Sequence, residues 1–196
     1  MAKNKQTDRT EKILKDTFVQ TLKKMPIEKI QVKTLCNLRG FDRSTFYRHY
    51  EDIYDLLSSV EDDLVDELSM LEKQILDSHT DINNPTAIIP KFIFKNKHIL
   101  NALFIHGDGN EFFKKFDTAF KKIYLNKACD AFEFSPEINQ KELENTIKFL
   151  SRGYYSIYFD ILNNTSKDEI TNMIKIASKI SLSYLNQIST SKTLDK

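Results

Sequence analysis

Glycine and proline are scarce, four of each in 196 residues, and tryptophan is absent. A chain of many short strands needs turn residues at every reversal, so an all-β architecture is excluded. There is no G-x-G-x-x-G and no Walker A sequence, which removes the phosphate cradles of a doubly wound nucleotide-binding domain. Cys36 and Cys129 stand far apart and match no zinc, redox or disulfide spacing, the usage expected of a reducing cytoplasm. Long hydrophobic runs are missing too. The richest apolar window, residues 86–94, is broken by Pro90 and Lys91, and a bilayer span needs ~18 unbroken apolar residues. Met1 to Asp8 hold no apolar core of a signal peptide. No membrane partner is expected. A nucleophile elbow and an H-E-x-x-H pair are also lacking, and His98, His106 and Cys129 do not have the spacing of a preformed metal site. Neither enzymatic activity nor a metal or cofactor is expected.

The net charge is only +1, but it is unevenly placed. The first fifty residues carry twelve Lys and Arg against five Asp and Glu, a net +7, and the remainder carries 17 against 23, a net −6. A basic head on an acidic body is the footprint of a chain that touches a polyanion with one end. A solvated basic face on an ordinary domain would look the same, so the charge needs a second signal.

Helical spacing supplies it. Ile13, Leu14, Thr17, Phe18 and Leu22 predict an amphipathic helix beginning at Thr7 or Asp8 and stopped by Pro26. A second helix over about 32–38 buries Val32, Leu35 and Cys36. Gly40 offers the positive φ that ends it, Phe41 plugs the turn, and Asp42 is placed to N-cap a third helix over 43–49. That helix directs Arg43, Ser44, Tyr47 and Arg48 outward while Phe46 and Tyr50 pack inward. Two short helices joined by a glycine turn make a helix-turn-helix, and a plain αα-hairpin has the same spacing; the +7 head tips the balance toward DNA. The major groove admits one helix, and an arginine fork matches the acceptors of guanine, which makes Arg43 the candidate base reader. Ser44 and Tyr47 reach base edges or thymine methyls, and Lys33, Thr45 and His49 suit phosphate contacts.

A long helix over 52–77 follows, with a seam of Ile53, Leu57, Val60, Leu64, Leu68, Leu71 and Ile75 and with Glu61, Asp62, Asp63, Asp66 and Glu67 on its other faces. It is long enough to join a DNA-binding head to a separate core, and residues 81–85 break it. The pattern then predicts helices over 86–95 and 97–105, a turn at 107–110, and a helix over 111–132 stacking Phe112, Phe113, Phe116, Phe120, Ile123 and Tyr124. Ser135-Pro136-Glu137 opens the next helix, whose seam is Leu143, Ile147, Leu150, Tyr154, Ile157 and Ile161. After a turn at 163–166 the last helix carries Ile170, Met173, Ile174, Ala177, Ile180, Tyr184 and Ile188. Near-heptad stripes on both suit a four-helix interface across a two-fold axis, and packing within one chain is the alternative. Eleven of the fourteen Phe lie between Phe92 and Phe159, where they fill a helical core or line an aromatic ligand pocket. The expected fold is all-α, with a three-helix helix-turn-helix DNA-binding domain over 1–55 and a helical effector-binding and dimerisation domain over 56–196.

The stretch Gly40-Phe41-Asp42-Arg43-Ser44-Thr45-Phe46-Tyr47-Arg48-His49-Tyr50, followed by Ile53-Tyr54-Asp55-Leu56-Leu57, resembles the N-terminal domain of the tetracycline-repressor (TetR) family. The match covers about residues 10–60 and is most specific at Thr45, Tyr47, His49 and Tyr50. The resemblance implies that Arg43, Ser44 and Tyr47 face bases and that Gln31, Lys33, Thr45 and His49 face the DNA backbone. It also implies a homodimer through the last two helices (about 137–188), a small-molecule effector bound in the body, and repression at a palindromic operator. Two residues depart from the family pattern. Arg39 replaces a small apolar residue before the glycine, and Ile53 replaces a phosphate-clamping lysine, so affinity leans on Arg48 and the N-terminal lysines. These departures motivate an alternative in which the chain is a co-regulator signalled by a partner protein.

Overall fold

The computed structural model describes residues 2–77, 88–107, 109–131, 133–134, 140–162 and 166–190. Among these the chain is all-α. Helices α1 (Ala2–Leu22), α2 (Val32–Arg39), α3 (Arg43–Tyr47) and α4 (Ile53–Asp77) are followed by α5 (Ile88–His106), α6 (Gly109–Ala131), α7 (Gln140–Leu162) and α8 (Lys167–Ile188). A single 3-10 turn, Ile27–Lys29, joins α1 to α2. Among the described residues a short extended element pairs β1 (Glu133–Phe134) antiparallel with β2 (Ser189–Thr190), Glu133 opposite Thr190. The expected breaks at 81–85, 135–137 and 163–165 lie outside the described residues, as do the side chains of Ile75, Phe120, Ile123, Tyr124, Cys129, Tyr154, Ile161 and Ile188. No helix among the described residues is long and apolar enough to cross a membrane.

The helices form two compact units, one of Met1–Leu64 with His98–Phe113, the other of Val65–Lys97 with Lys114–Lys196. In the first unit, α1 starts at Ala2 rather than at Thr7 or Asp8, because the intervening residues include neither glycine nor proline to stop it. Its other end closes before Pro26, with the Lys23 and Lys24 amides donating to the carbonyls of Val19 and Thr21. Pro26 instead sits at the start of the 3-10 turn, which buries Ile27. Leu14, Phe18 and Leu22 of α1, Leu35 and Cys36 of α2, Phe46 of α3 and Leu56 and Leu57 of α4 are buried. Burying one such side chain contributes roughly 1.5–3 kcal/mol, so the small head is held by a handful of large residues. Glu61, expected on a solvated face of α4, is only 2% exposed.

In the second unit α7 and α8 pack together, burying Leu143, Ile147 and Ile157 with Ile170 and Ile174. One expectation fails here. The predicted helices over 86–95 and 97–105 are one helix, α5. Asn96, read as the break between them, is buried, and its amide nitrogen donates to Glu67 Oε1 at 2.9 Å. Pro90 lies in the first turn, where no intrahelical N–H bond is due. Ile180 and Tyr184, assigned to the seam of the last helix, are exposed. Of the described side chains of α8, Ile170 and Ile174 are buried and Ala177 is half-buried.

Candidate nucleic-acid interface

The glycine turn is fixed by backbone chemistry. Gly40 takes φ +67°, the left-handed region that favours glycine, and the Phe41 amide donates to the Cys36 carbonyl at 3.0 Å. This is the closure of a Schellman-type helix end. Gln31 and Asp42 stand at the N-caps of α2 and α3, and neither side chain makes a capping bond. Asp42 thus departs from its expected role. Only its backbone carbonyl is used, accepting from the Thr45 amide at 2.9 Å.

Phe46 is the anchor of α3. It is fully buried and meets Tyr47 edge-on, with ring centroids 5.5 Å apart, and Tyr50 at 5.7 Å. With Phe46 pointing inward, a five-residue helix must turn the rest of its circumference outward. Arg43, Ser44 and Arg48 are exposed, and so is Tyr47, at 57%. Positions 43, 44, 47 and 48 share one helix face, so their hydrogen-bonding groups form a single patch. Thr45 and His49 are half-buried at its margin, His49 lying beside Tyr50. Gln31 and Lys33 are exposed at the start of α2, which packs on α3. Burial lifts the Cys36 thiol above its ordinary value against a smaller downward pull from the nearby Arg43 guanidinium, which keeps this cysteine an inert core residue.

Several structural supports of the patch were not anticipated from the sequence. Lys15 on α1 bridges Glu11 at 3.1 Å and Asp63 of α4 at 2.6 Å. Burial alone lowers its ammonium, but Asp63 and Glu11 outweigh that and hold its pKa above the usual lysine value. The Tyr50 hydroxyl is buried near Ser59, Glu11 and Asp63, and burial is the main reason its pKa is raised. Glu11 and Lys15 are one helical turn apart and legible as a pair, whereas Asp63 is brought in by folding alone.

At the start of α4, Asp52 Oδ1 accepts from the amides of Tyr54 (2.8 Å) and Asp55 (2.9 Å), while Asp55 reaches back to the Glu51 amide at 2.9 Å. This acid-x-x-acid arrangement resembles a capping box. Ile53, where the family pattern has a lysine, is buried. Arg39 places its Nε 2.9 Å from Thr17 Oγ1 on α1.

The second unit presents a different surface. Phe149 is 73% exposed, Ile180 58% and Ile176 50%, with Tyr184 also exposed. A groove of about 600 Å³ runs between α7 and α8, lined by Phe149, Leu150, Ile180 and Tyr184 together with Lys141, Glu142, Asn145 and Thr146. Gly153 of α7 is exposed, and nothing lies within 4 Å of the position a Cβ would take.

No protein-family model matches the sequence, and no curated protein is similar to it. Solved structures are similar in fold. A TetR transcriptional regulator from Streptococcus agalactiae superposes with a TM-score of 0.67 at 21% identity, covering 92% of this chain and 98% of that one. DhaS, an activator of a dihydroxyacetone kinase operon, gives 0.64 at 14% identity over 92% and 98%. NalD, the secondary repressor of the MexAB-OprM multidrug efflux pump in Pseudomonas aeruginosa, gives 0.55 at 11% identity over 95% and 99%. The chain has the fold of the TetR-type transcriptional regulators.

Proposed function

We propose that the chain is a TetR-like transcriptional regulator, a homodimer that binds a palindromic operator and is released by a small-molecule effector. Residues 1–55 act as the DNA-binding domain and 56–196 as the effector-binding and dimerisation domain. The observation that carries this reading is the outward patch of Arg43, Ser44, Tyr47 and Arg48 on a helix pinned by Phe46. Arg43, Ser44 and Tyr47 read bases, while Gln31, Lys33, Thr45, Arg48 and His49 hold phosphates. The exposed apolar face of α7 and α8 supports dimerisation through the last two helices, because isolated monomers rarely leave so many large apolar side chains in water on one surface. Two copies then present their α3 helices one DNA turn apart. Repression is the proposed sign; the named structural neighbours include an activator and a repressor.

The partner-protein alternative was motivated by Arg39 and Ile53. Arg39 bonds Thr17 and Ile53 is buried, so both residues have structural uses in the head and neither argues for loss of DNA binding. The test is a gel shift with the DNA upstream of the protein's own gene. Specific retardation that weakens with salt, by about 0.9 log units per neutralised phosphate per log unit of salt, is expected. Retardation that appears only after a second protein is added would favour the alternative.

A further inference from the structure

Helices α1 and α2 pack together, and Leu14, Phe18 and Leu22 of α1 and Leu35 and Cys36 of α2 are buried, with Thr17 and Thr21 the buried polar residues of α1. Apolar contacts are non-directional. They hold two helices together but define poorly how far each is rotated about its own axis. A directional bond joins the two helices: Arg39, the last residue of α2, donates from Nε to Thr17 Oγ1 at 2.9 Å. Thr17 is itself fixed. It is buried, and its hydroxyl donates to the Ile13 carbonyl at 2.6 Å, so its lone pairs point in a set direction. Only Gly40, Phe41 and Asp42 separate Arg39 from α3, and Gly40 and Phe41 are tied to α2 by their amides. A rotation of α2 is therefore passed to α3. A tilt of roughly 5° moves a side-chain tip ~10 Å away by about 1 Å, beyond the ~0.5 Å tolerance of a preorganised contact.

We infer that Arg39 is a positioning residue: its bond to Thr17 fixes the rotation of α2 and hence the direction in which Arg43, Ser44 and Tyr47 leave α3. This rests on the DNA-binding reading above, and it assigns a role to a residue outside the proposed reading surface. The bond is a specificity device, because the apolar interface supplies the adhesion and the arginine supplies the register. The Thr17 end of the bond is buried and Arg39 itself is exposed, so the contact sits at the rim of the apolar packing.

The test uses a duplex selected by the full-length wild-type protein from a random-sequence pool, with sonicated genomic DNA as the non-specific probe. Arg39→Ala and Thr17→Val are each expected to weaken binding to the selected duplex about tenfold, the scale of one charge-assisted hydrogen bond. The double variant is expected to be no weaker than either single one, because both remove the same bond. Thr17→Ser and Arg39→Lys, which keep an acceptor and a donor, retain most of the affinity, and the salt slope of Thr17→Val equals that of the wild type. A silent Thr17→Val, with Arg39→Ala losing about one unit of salt slope, would make Arg39 a phosphate contact and overturn the inference. Additive losses in the double variant would overturn it too. If Thr17→Val melts far below the wild type, the comparison of Arg39→Ala with Arg39→Lys and Thr17→Ser decides. Failure of the wild-type protein to select any duplex would instead sink the DNA-binding reading itself.

Discussion

The two units solve the same geometric problem in opposite chemical ways. In the head, α3 buries one aromatic residue and turns hydrogen-bonding side chains to water. In the other unit, α7 and α8 bury one aliphatic stripe and turn a second apolar stripe, Phe149, Ile176, Ile180 and Tyr184, to water. An exposed polar patch over an apolar anchor is ready for a solvated, charged ligand, and its energy comes from directional contacts. An exposed apolar patch over an apolar seam is ready for another protein surface, and its energy comes from area removed from water. The amphipathic period is identical in both, so outward chemistry rather than periodicity separates the proposed reading surface from the proposed assembly surface.

That contrast can be broken most severely at its anchor. Phe46→Ala empties a fully buried site in a small head, and a loss of about 3–5 kcal/mol is expected in urea unfolding followed by circular dichroism. Loss below about 1 kcal/mol would mean that α3 is held by something else. The next largest effect belongs to the apolar face. Phe149→Asp combined with Ile180→Asp places two carboxylates on it and is expected to shift sedimentation equilibrium to monomer, costing about 3 kcal/mol or more of association, while the helix content stays unchanged. A dimer that survives this double change uses a different surface.

Gly40→Ala probes the turn that aims α3. Nothing would collide with the new methyl group, so the expected loss of about 1–2 kcal/mol comes only from forcing an L-residue to φ +67°. A cost well above this would reveal crowding that the fold does not contain. The smallest effect concerns pH. Lys15 has a folded pKa above its ordinary value of 10.5, so its contribution is fully present below that value and is lost as pH rises through the folded pKa. Tyr50 is also raised and acts with the same sign above its ordinary value of 10.0. Wild-type protein is expected to lose more stability than the Lys15→Met, Tyr50→Phe double variant on titration from pH 9 into this alkaline window. The lysine share is about 0.5 kcal/mol, because the Asp63 partner is largely solvated. Equal alkaline slopes in the two proteins would remove both groups from the account.

Much of the fold was legible because helices write their buried faces into the sequence at a fixed period. Leu14, Phe18, Leu35, Cys36, Phe46, Leu57, Val60, Ile147 and Ile170 were all assigned inward, and all are buried. What failed were inferences that needed a partner distant in sequence. Asn96 looks like a helix break until Glu67, twenty-nine residues away, bonds it into the unit. Glu61 looks like a surface acid on the pattern of α4 alone, yet it is buried. Ile180 and Tyr184 line a groove beside α7 and remain exposed, which spacing along one helix does not reveal. The outward patch on α3 was readable because its anchor, Phe46, and its exposed polar residues are adjacent in sequence. Arg39 was visible only as an oddity, since its partner Thr17 sits twenty-two residues earlier on another helix.

The most direct measurement is a competition titration of a fluorescent duplex, selected by the wild-type protein, against sonicated genomic DNA, performed in parallel with wild type and Tyr47→Ala. The account predicts that wild type prefers the selected duplex by about 10³-fold or more. Tyr47→Ala should lose about 10- to 100-fold of that preference, the worth of one good base contact, with melting temperature and dimerisation unchanged. Equal preference in the two proteins, or no preference in the wild type, would contradict the claim that the exposed face of α3 reads DNA.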